Sequence, residues 1–305
     1  ISQFKGEVKS IEEDEINIEL EPDRPDILSV EGLTRAIRAY LQKEPGYPKK
    51  LRRKIKKSKI RVEVNEARTR PYIACAIIKD IKIDEKTVKS IMRMQETLHM
   101  TLGRDRRKVA IGIHNYDKIK PPIIYTEAEK DEKIIPLDMP KEMTLKEVLE
   151  KHPKGREYRH LIRDKCPVYI DQRGIFSFPP IINGERTRVT EGTKNLFIEL
   201  TGTDIKTIKQ TLNILIINLM DRGGTPEKIE IQYPNRNEIT PDLTPKHMKI
   251  RYKEISKLLG IEINRRNITK YLEKMQYGVK EILEEEAEII IPPYRTCLLY
   301  TSDAA

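Results

Sequence analysis

No uninterrupted apolar run among the 305 residues approaches the roughly eighteen that a membrane-spanning helix needs, so the sequence predicts a soluble protein with no membrane contact. The three cysteines, Cys75, Cys166 and Cys297, stand far apart and outside any C-x-x-C spacing. That argues against a zinc site or a disulfide framework and for a reducing, cytoplasmic setting. Tryptophan is absent while Lys, Glu, Arg and Ile abound, a composition compatible with a heat-adapted source. No basic-then-apolar signal segment is present and the chain opens at Ile1 rather than Met, so the expectation is a fragment whose start lies upstream. Internal repeats and low-complexity tracts are missing. So is any Ser-His-Asp or Cys-His nucleophile set, and His152, His160 and His247 lack metal-ligand spacing, so no metal site is expected.

What is present is charge. Lys and Arg number 58 against 48 Asp and Glu, a net +10 that favours a polyanionic partner but also occurs in proteins without one. The length allows two or three domains, each with its own core. Between Lys49 and Arg61 lie nine basic residues and no acidic one, read either as a phosphate-binding strip or as a solvated linker.

Periodicity outlines the elements. Glu15 to Leu20 alternates as a strand, and Ser29 caps a helix with Val30, Leu33, Ile37, Tyr40 and Leu41 on one face. Ile60 to Val64 and Tyr72 to Ile83 read as strands, and Asp84 caps a helix closed by Gly103. Val109 to Ile113 follows as a buried strand, then Ile123 to Tyr125, and a short helix from Thr144 to Leu149 that Pro153 ends. Val168 to Ile170 and Gly174 to Phe178 form a hairpin, and Lys194 to Leu200 is another strand. Thr203 or Asp204 then caps a helix bearing Ile205, Ile208, Leu212, Leu215 and Leu219. The stretch Thr240-Pro241-Asp242-Leu243-Thr244-Pro245 is the clearest linker, followed by short helices and small strands, among them Ala287 to Ile291.

Five strings stand in one order: EPDRPDILSVEGLTRAIRAYL, QETLHMTLGRDRRKVAIGIHNYDKIKPP, FSFPPIING, TKNLFIELTGTD and IIIPPYRT. Together they resemble the archaeal and eukaryotic type of phenylalanyl-tRNA synthetase β subunit, from near Glu7 to Thr296. The resemblance implies a multidomain α+β fold: an N-terminal domain over 1–77, an editing domain with mixed sheet and helices over 78–240, and a partial winged-helix-like domain over 241–305. It implies an α subunit as partner in an α2β2 enzyme, tRNA(Phe) as ligand, and ATP and Mg2+ for the whole synthetase at the α subunit, with no cofactor in this chain. Its job would be hydrolysis of mischarged Tyr-tRNA(Phe). After Thr296 the match fails, and residues 297–305 read as a foreign or truncated tail lacking the family's acidic stretch.

Editing is needed because a pocket shaped for Phe rejects one added hydroxyl by only about 10²-fold. A second site favours Tyr if an acceptor meets the phenol, since Phe would leave that acceptor unpaired. The resemblance makes Glu199 that acceptor. Alternation sets it on one strand face with Phe197 and Thr201, opposite Ile198 and Leu200; the bland alternative is a surface Glu on an edge strand. Pro179 and Pro180 would form a rigid wall. Ser177, Asn183 and Thr201 are the candidates for positioning ester or water, although Ser177 also reads as a strand-end hydroxyl satisfied by backbone. Gly202 and Thr203 lead into a helix start whose N–H groups could face an oxyanion or phosphate, or simply be capped. His99 and His114 fall in the matching strings and read as structural. The expected chemistry is attack by water with substrate assistance. Two other readings stay open: a free-standing aminoacyl-tRNA hydrolase, and a module that binds RNA or protein without chemistry.

Overall fold

Strict alternation over Tyr72–Lys79 sends Ile73, Cys75 and Ile77 into one apolar cluster and Ala74, Ala76 and Ile78 into another, so this strand is buried on both faces. In the computed structural model, which describes residues 1–13, 15–65 and 67–296, it lies inside a ten-stranded sheet. The tail expected from Cys297 onward lies outside the described residues.

Along the sheet the strands run Ile182–Asn183, Gly174–Phe178, Cys166–Asp171, Ile123–Ala128, Lys56–Val64, Thr225–Tyr233, Tyr72–Lys79, Leu196–Gly202 and Val109–Asn115, with Arg236–Thr240 paired to Thr225–Tyr233. Lys56–Val64 is parallel to both its neighbours, and the other pairs are antiparallel. The sheet curls until its ends approach: Asn183 Nδ2 on the first strand donates to the Ile113 carbonyl on the last at 3.2 Å. The concave face is filled by Tyr125, Tyr169, Phe176 and Phe197, whose rings meet at centroid distances of 4.8–6.4 Å. Against the convex face pack the helices Glu85–Met100 and Ile205–Asp221, capped by Asp84 and Asp204.

The basic run from Lys49 is therefore no linker, because Lys56 to Arg61 belongs to the strand Lys56–Val64. The domain boundary expected at Ile77 falls inside Tyr72–Lys79 in the middle of this sheet. Pro153, expected only to end a helix, instead opens the next one, Pro153–Tyr158, where its missing N–H is harmless.

At the N-terminus a hairpin, Gly6–Ile11 with Ile16–Leu20, precedes the helix Val30–Tyr40. A Cβ on Gly32 would stand 1.8 Å from the Asp26 carbonyl oxygen, so glycine is required where the helix start crosses that turn. At the other end the helices Tyr252–Leu259 and Arg265–Lys274 pack on a three-stranded antiparallel sheet of Lys246–Arg251, Glu286–Ile291 and Gly278–Ile282, the small helix-and-wing unit the sequence predicts.

Candidate active site

Where the sheet's ends approach each other, a cavity of about 320 Å3 opens between the Glu85–Met100 helix and the Pro179-to-Asn183 turn. Pro179, Pro180, Asn183 and Glu199 line it, together with Arg106 and Thr187. Glu199 sits on Leu196–Gly202, which is flanked on both sides by strands and buried at every residue. The edge-strand alternative is thereby overturned. Its side chain is 1% exposed, and Oε1 accepts from Ser177 Oγ at 2.9 Å. Oε2 has no hydrogen-bond partner. Ser177 thus spends its hydroxyl on the carboxylate rather than on backbone.

The register explains how a carboxylate fits there. Glu199 pairs with Gly112, and a Cβ on Gly112 would come 2.2 Å from Oε1 and 2.9 Å from His114 Nε2. Next to this gap, buried His114 lies edge-on to Phe176 with centroids 5.1 Å apart. Its Nδ1 is 2.8 Å from Thr187 Oγ1 and its Nε2 is 3.8 Å from Glu199 Oε1. Burial, with the Glu199 charge among the neighbours, pushes the Tyr169 hydroxyl and the Cys75 thiol well above their usual ranges, so both stay protonated.

The cavity's other wall is held by Arg106. Its Nη1 donates to the carbonyls of Pro180 and Ile181, each at 3.0 Å, its Nη2 to Glu96 at 2.8 Å, and its guanidinium covers the Tyr158 ring at 4.3 Å. Arg104, Asp105 and Arg106 all adopt left-handed backbone angles, with φ of 47°, 56° and 62°. That costly run turns the Arg106 side chain inward. His99 ties the same corner together: its Nε2 accepts from the Ile111 N–H at 2.8 Å, which leaves Nδ1 to face Glu96 at 3.4 Å. The His99 hydrogen bond outweighs burial and, with Arg106, lowers Glu96 to about 2. Burial lowers His99 as well, keeping it neutral. His152 also borders the cavity, with Nδ1 accepting from the Lys154 N–H at 3.2 Å.

Not all the expected residues converge. Thr201 is fully buried off the cavity wall, where Arg70 Nε donates to its hydroxyl at 3.1 Å and Nη2 to its carbonyl at 2.7 Å. Gly202 answers to packing, since a Cβ would stand 1.9 Å from the Lys108 carbonyl oxygen. Thr203 is exposed, its N–H donating to that same carbonyl at 3.2 Å. Asp204, not Thr203, caps the helix, accepting from the N–H groups of Lys206 at 3.0 Å and Thr207 at 3.1 Å. These donors are spent, so the helix start offers no oxyanion hole at the cavity. Asn183 lines the cavity but commits Nδ2 to the sheet closure. Sequence reasoning missed Arg106, Gly112 and the approach of His114. The alternation of Gly112 and His114 puts them on one strand face, but nothing in the sequence says which strand they oppose. Among the described residues, no group of three or more His, Cys, Asp or Glu could hold a metal ion.

The arrangement supplies a buried carboxylate with one oxygen fixed and the other unpaired, in a pocket of single-residue scale. An unpaired buried acceptor costs about 1–3 kcal/mol, which a ligand hydroxyl relieves and a ligand C–H does not.

The comparisons with known proteins fall in line with the sequence strings. Residues 69–230 match the B3/4 domain family, and residues 248–303 match the tRNA synthetase B5 domain family. The chain is 42% identical over 304 residues to the phenylalanine–tRNA ligase beta subunit of Methanosarcina barkeri, covering 98% of this chain and 55% of that one. To the beta subunit of Pyrococcus furiosus it is 42% identical over 287 residues, covering 92% and 51%. The chain thus spans about half the length of the curated relatives it matches. The crystal structure of an N-terminal fragment of the phenylalanyl-tRNA synthetase beta-subunit from Pyrococcus horikoshii superposes with a TM-score of 0.93 at 41% identity, over 98% of this chain and 88% of that one.

Proposed function

Since the chain belongs to the β-subunit family of phenylalanine–tRNA ligase, we propose that it clears tyrosine from mischarged tRNA(Phe) by hydrolysing the aminoacyl ester in the Glu199 cavity. The observation that carries this reading is the unpaired Oε2 of Glu199, buried on the wall of a pocket large enough for one aromatic side chain. In it the tyrosine phenol donates to Glu199, while Ser177 holds the carboxylate by its other oxygen. Pro179 and Pro180, fixed through Arg106, flank the ring, and Asn183 meets the ester end. Water attacks the ester carbon, the bond to the ribose oxygen breaks, and that oxygen takes up the proton. No protein nucleophile is assigned. Thr201, which Arg70 holds off the cavity wall, Gly202 and Thr203 are assigned no part in the chemistry. The same reading gives the chain an α subunit as partner in a cytoplasmic α2β2 enzyme, with ATP- and Mg2+-dependent charging of tRNA(Phe) carried out at that subunit. Among the described residues, no helix is long and apolar enough to cross a membrane.

The test is deacylation of Tyr-tRNA(Phe) against Phe-tRNA(Phe) by the purified chain, with an α subunit added in a second series. Tyr ester should be cleaved far faster. Glu199→Ala should cut that preference by about tenfold to a hundredfold, the equivalent of about 1.5–3 kcal/mol for a hydrogen bond to a charged group. Cleavage of neither ester in either series would instead leave a binding module without hydrolytic activity.

A further inference from the structure

A larger cavity, of about 880 Å3, lies where the start of the Val30–Tyr40 helix, the segment over 43–50, which ends in the first turn of the 3-10 helix Lys49–Arg52, and the C-terminal end of the Ile205–Asp221 helix meet, with Gln276 of the C-terminal unit on its wall. It is separate from the Glu199 pocket and shares no lining residue with it. Its wall holds six cationic side chains, Arg35, Arg38, Lys43, Lys49, Lys50 and Arg222, against three carboxylates, Glu31, Glu44 and Asp221, a surplus of three positive charges.

The pairing inside the wall leaves that surplus in place. Arg38 takes Glu44 at 2.6 Å and Arg222 takes Glu31, while Arg35 and Lys50 share the single carboxylate of Asp221. Lys43 and Lys49 make no ion pair among the described residues. Arg35 is 5% exposed, rests on the Tyr294 ring at 4.3 Å, and has two guanidinium nitrogens, Nε and Nη2, without an acceptor. Burial, and after it the nearby Arg35 charge, push the Lys50 ammonium down to about 7, so near neutrality it carries its charge only in part and the surplus stands between two and three. The helix ends contribute little net field, because a positive N-terminus and a negative C-terminus adjoin here. Apart from Thr34 and Gln276, the rest of the wall is apolar, with Pro45, Pro48, Tyr47 and Met220, and Val30 stands 65% exposed beside them. Concavity, a volume in the small-ligand range, an apolar half and an uncompensated cationic half together specify an amphipathic anion.

We propose that this cavity binds a small organic phosphate bearing roughly two to three negative charges, its phosphate held by Lys43, Lys49 and Lys50 and its organic part against Tyr47, Pro45 and Met220. The ligand bridges the N-terminal helix, the large sheet's helix and the C-terminal unit, so its binding stabilises their junction.

The experiment is titration calorimetry and thermal melting of the whole chain with AMP, ADP, pyrophosphate and inorganic phosphate as probes. AMP or ADP should bind, raise the melting temperature and weaken as salt rises, with both inorganic anions binding more weakly for want of an apolar part. The double variant Lys43→Gln/Lys49→Gln changes two exposed, unpaired side chains, so it should fold as the parent does and lose about tenfold or more in affinity. No heat and no melting shift with any of the four probes at millimolar concentration would overturn the proposal, as would unchanged nucleotide affinity in the double variant. Pyrophosphate binding as tightly as ADP would overturn the organic half of it. Capture of a single-stranded RNA oligonucleotide through the same lysines, with the four probes silent, would replace it by an RNA surface.

Discussion

Replacing Glu199 by Met while replacing Ser177 by Ala should make the protein more stable and at the same time cut its preference for the tyrosine ester by about tenfold to a hundredfold. Glu199 is buried with Oε2 unpaired, a burden of about 1–3 kcal/mol on the folded state. Glu199→Met alone removes that burden but strips the Ser177 hydroxyl of its partner, a loss of about the same size, so the single variant should melt close to the parent. Ser177→Ala removes the stranded hydroxyl as well. The double variant then keeps the gain of about 1–3 kcal/mol, or about 2–4 °C in melting temperature per kcal/mol for a domain of this size. The methionine has room, because Gly112 leaves space beside the carboxylate position. Differential scanning calorimetry on parent, single and double variants, with deacylation of Tyr-tRNA(Phe) measured in parallel, decides the matter. A double variant that melts several degrees below the parent would show that the carboxylate is part of the fold's support, and the argument from an unpaired acceptor would fail.

Gly112→Ala drives a methyl group into the Glu199 carboxylate, so it should lower stability by about 1–3 kcal/mol and erase the Tyr-over-Phe preference even though Glu199 itself is intact; retained preference would mean the carboxylate's position does not matter. Arg106→Ala leaves the Pro180 and Ile181 carbonyls without their donor, and should raise KM for Tyr-tRNA(Phe) more than it lowers kcat, checked by steady-state deacylation. Glu96 has a folded-state pKa of about 2, below its ordinary value of 4.5, so its contribution is fully present above that ordinary value and is lost as pH falls toward 2. Acid melting curves should therefore show a component in that window that Glu96→Gln abolishes.

How much of this was legible in the sequence depends on the range of the interaction. Ser29, Asp84 and Asp204 cap the helices that their spacing announces, because a cap needs only the next three residues. The alternation from Phe197 to Thr201 correctly separates Glu199 from Ile198 and Leu200, since a strand's two faces are a local property. Whether that strand was internal was not local: it depended on Tyr72–Lys79 and Val109–Asn115 arriving on either side. Thr201 was misread for the same reason, because the side chain that engages it, Arg70, stands 131 residues away. Arg106 gave no signal at all. Its place on the cavity wall follows from three successive left-handed residues, none of them glycine, which only the surrounding structure stabilises.

The strand order has a consequence for how the chain assembles as it is made. Lys56–Val64 and Tyr72–Lys79 are close in sequence yet do not pair, because Thr225–Tyr233 lies between them. During synthesis the two early strands emerge with a gap that stays empty until more than 140 further residues have followed, as the positions of Lys79 and Thr225 fix. The centre of the sheet is therefore delivered after every other strand except Arg236–Thr240. Pairings across such sequence distances are slow, and in the interval both early strands expose unpaired backbone. A nascent chain halted before Thr225 should aggregate or recruit a chaperone, whereas one released after Thr240 has every strand of the large sheet available.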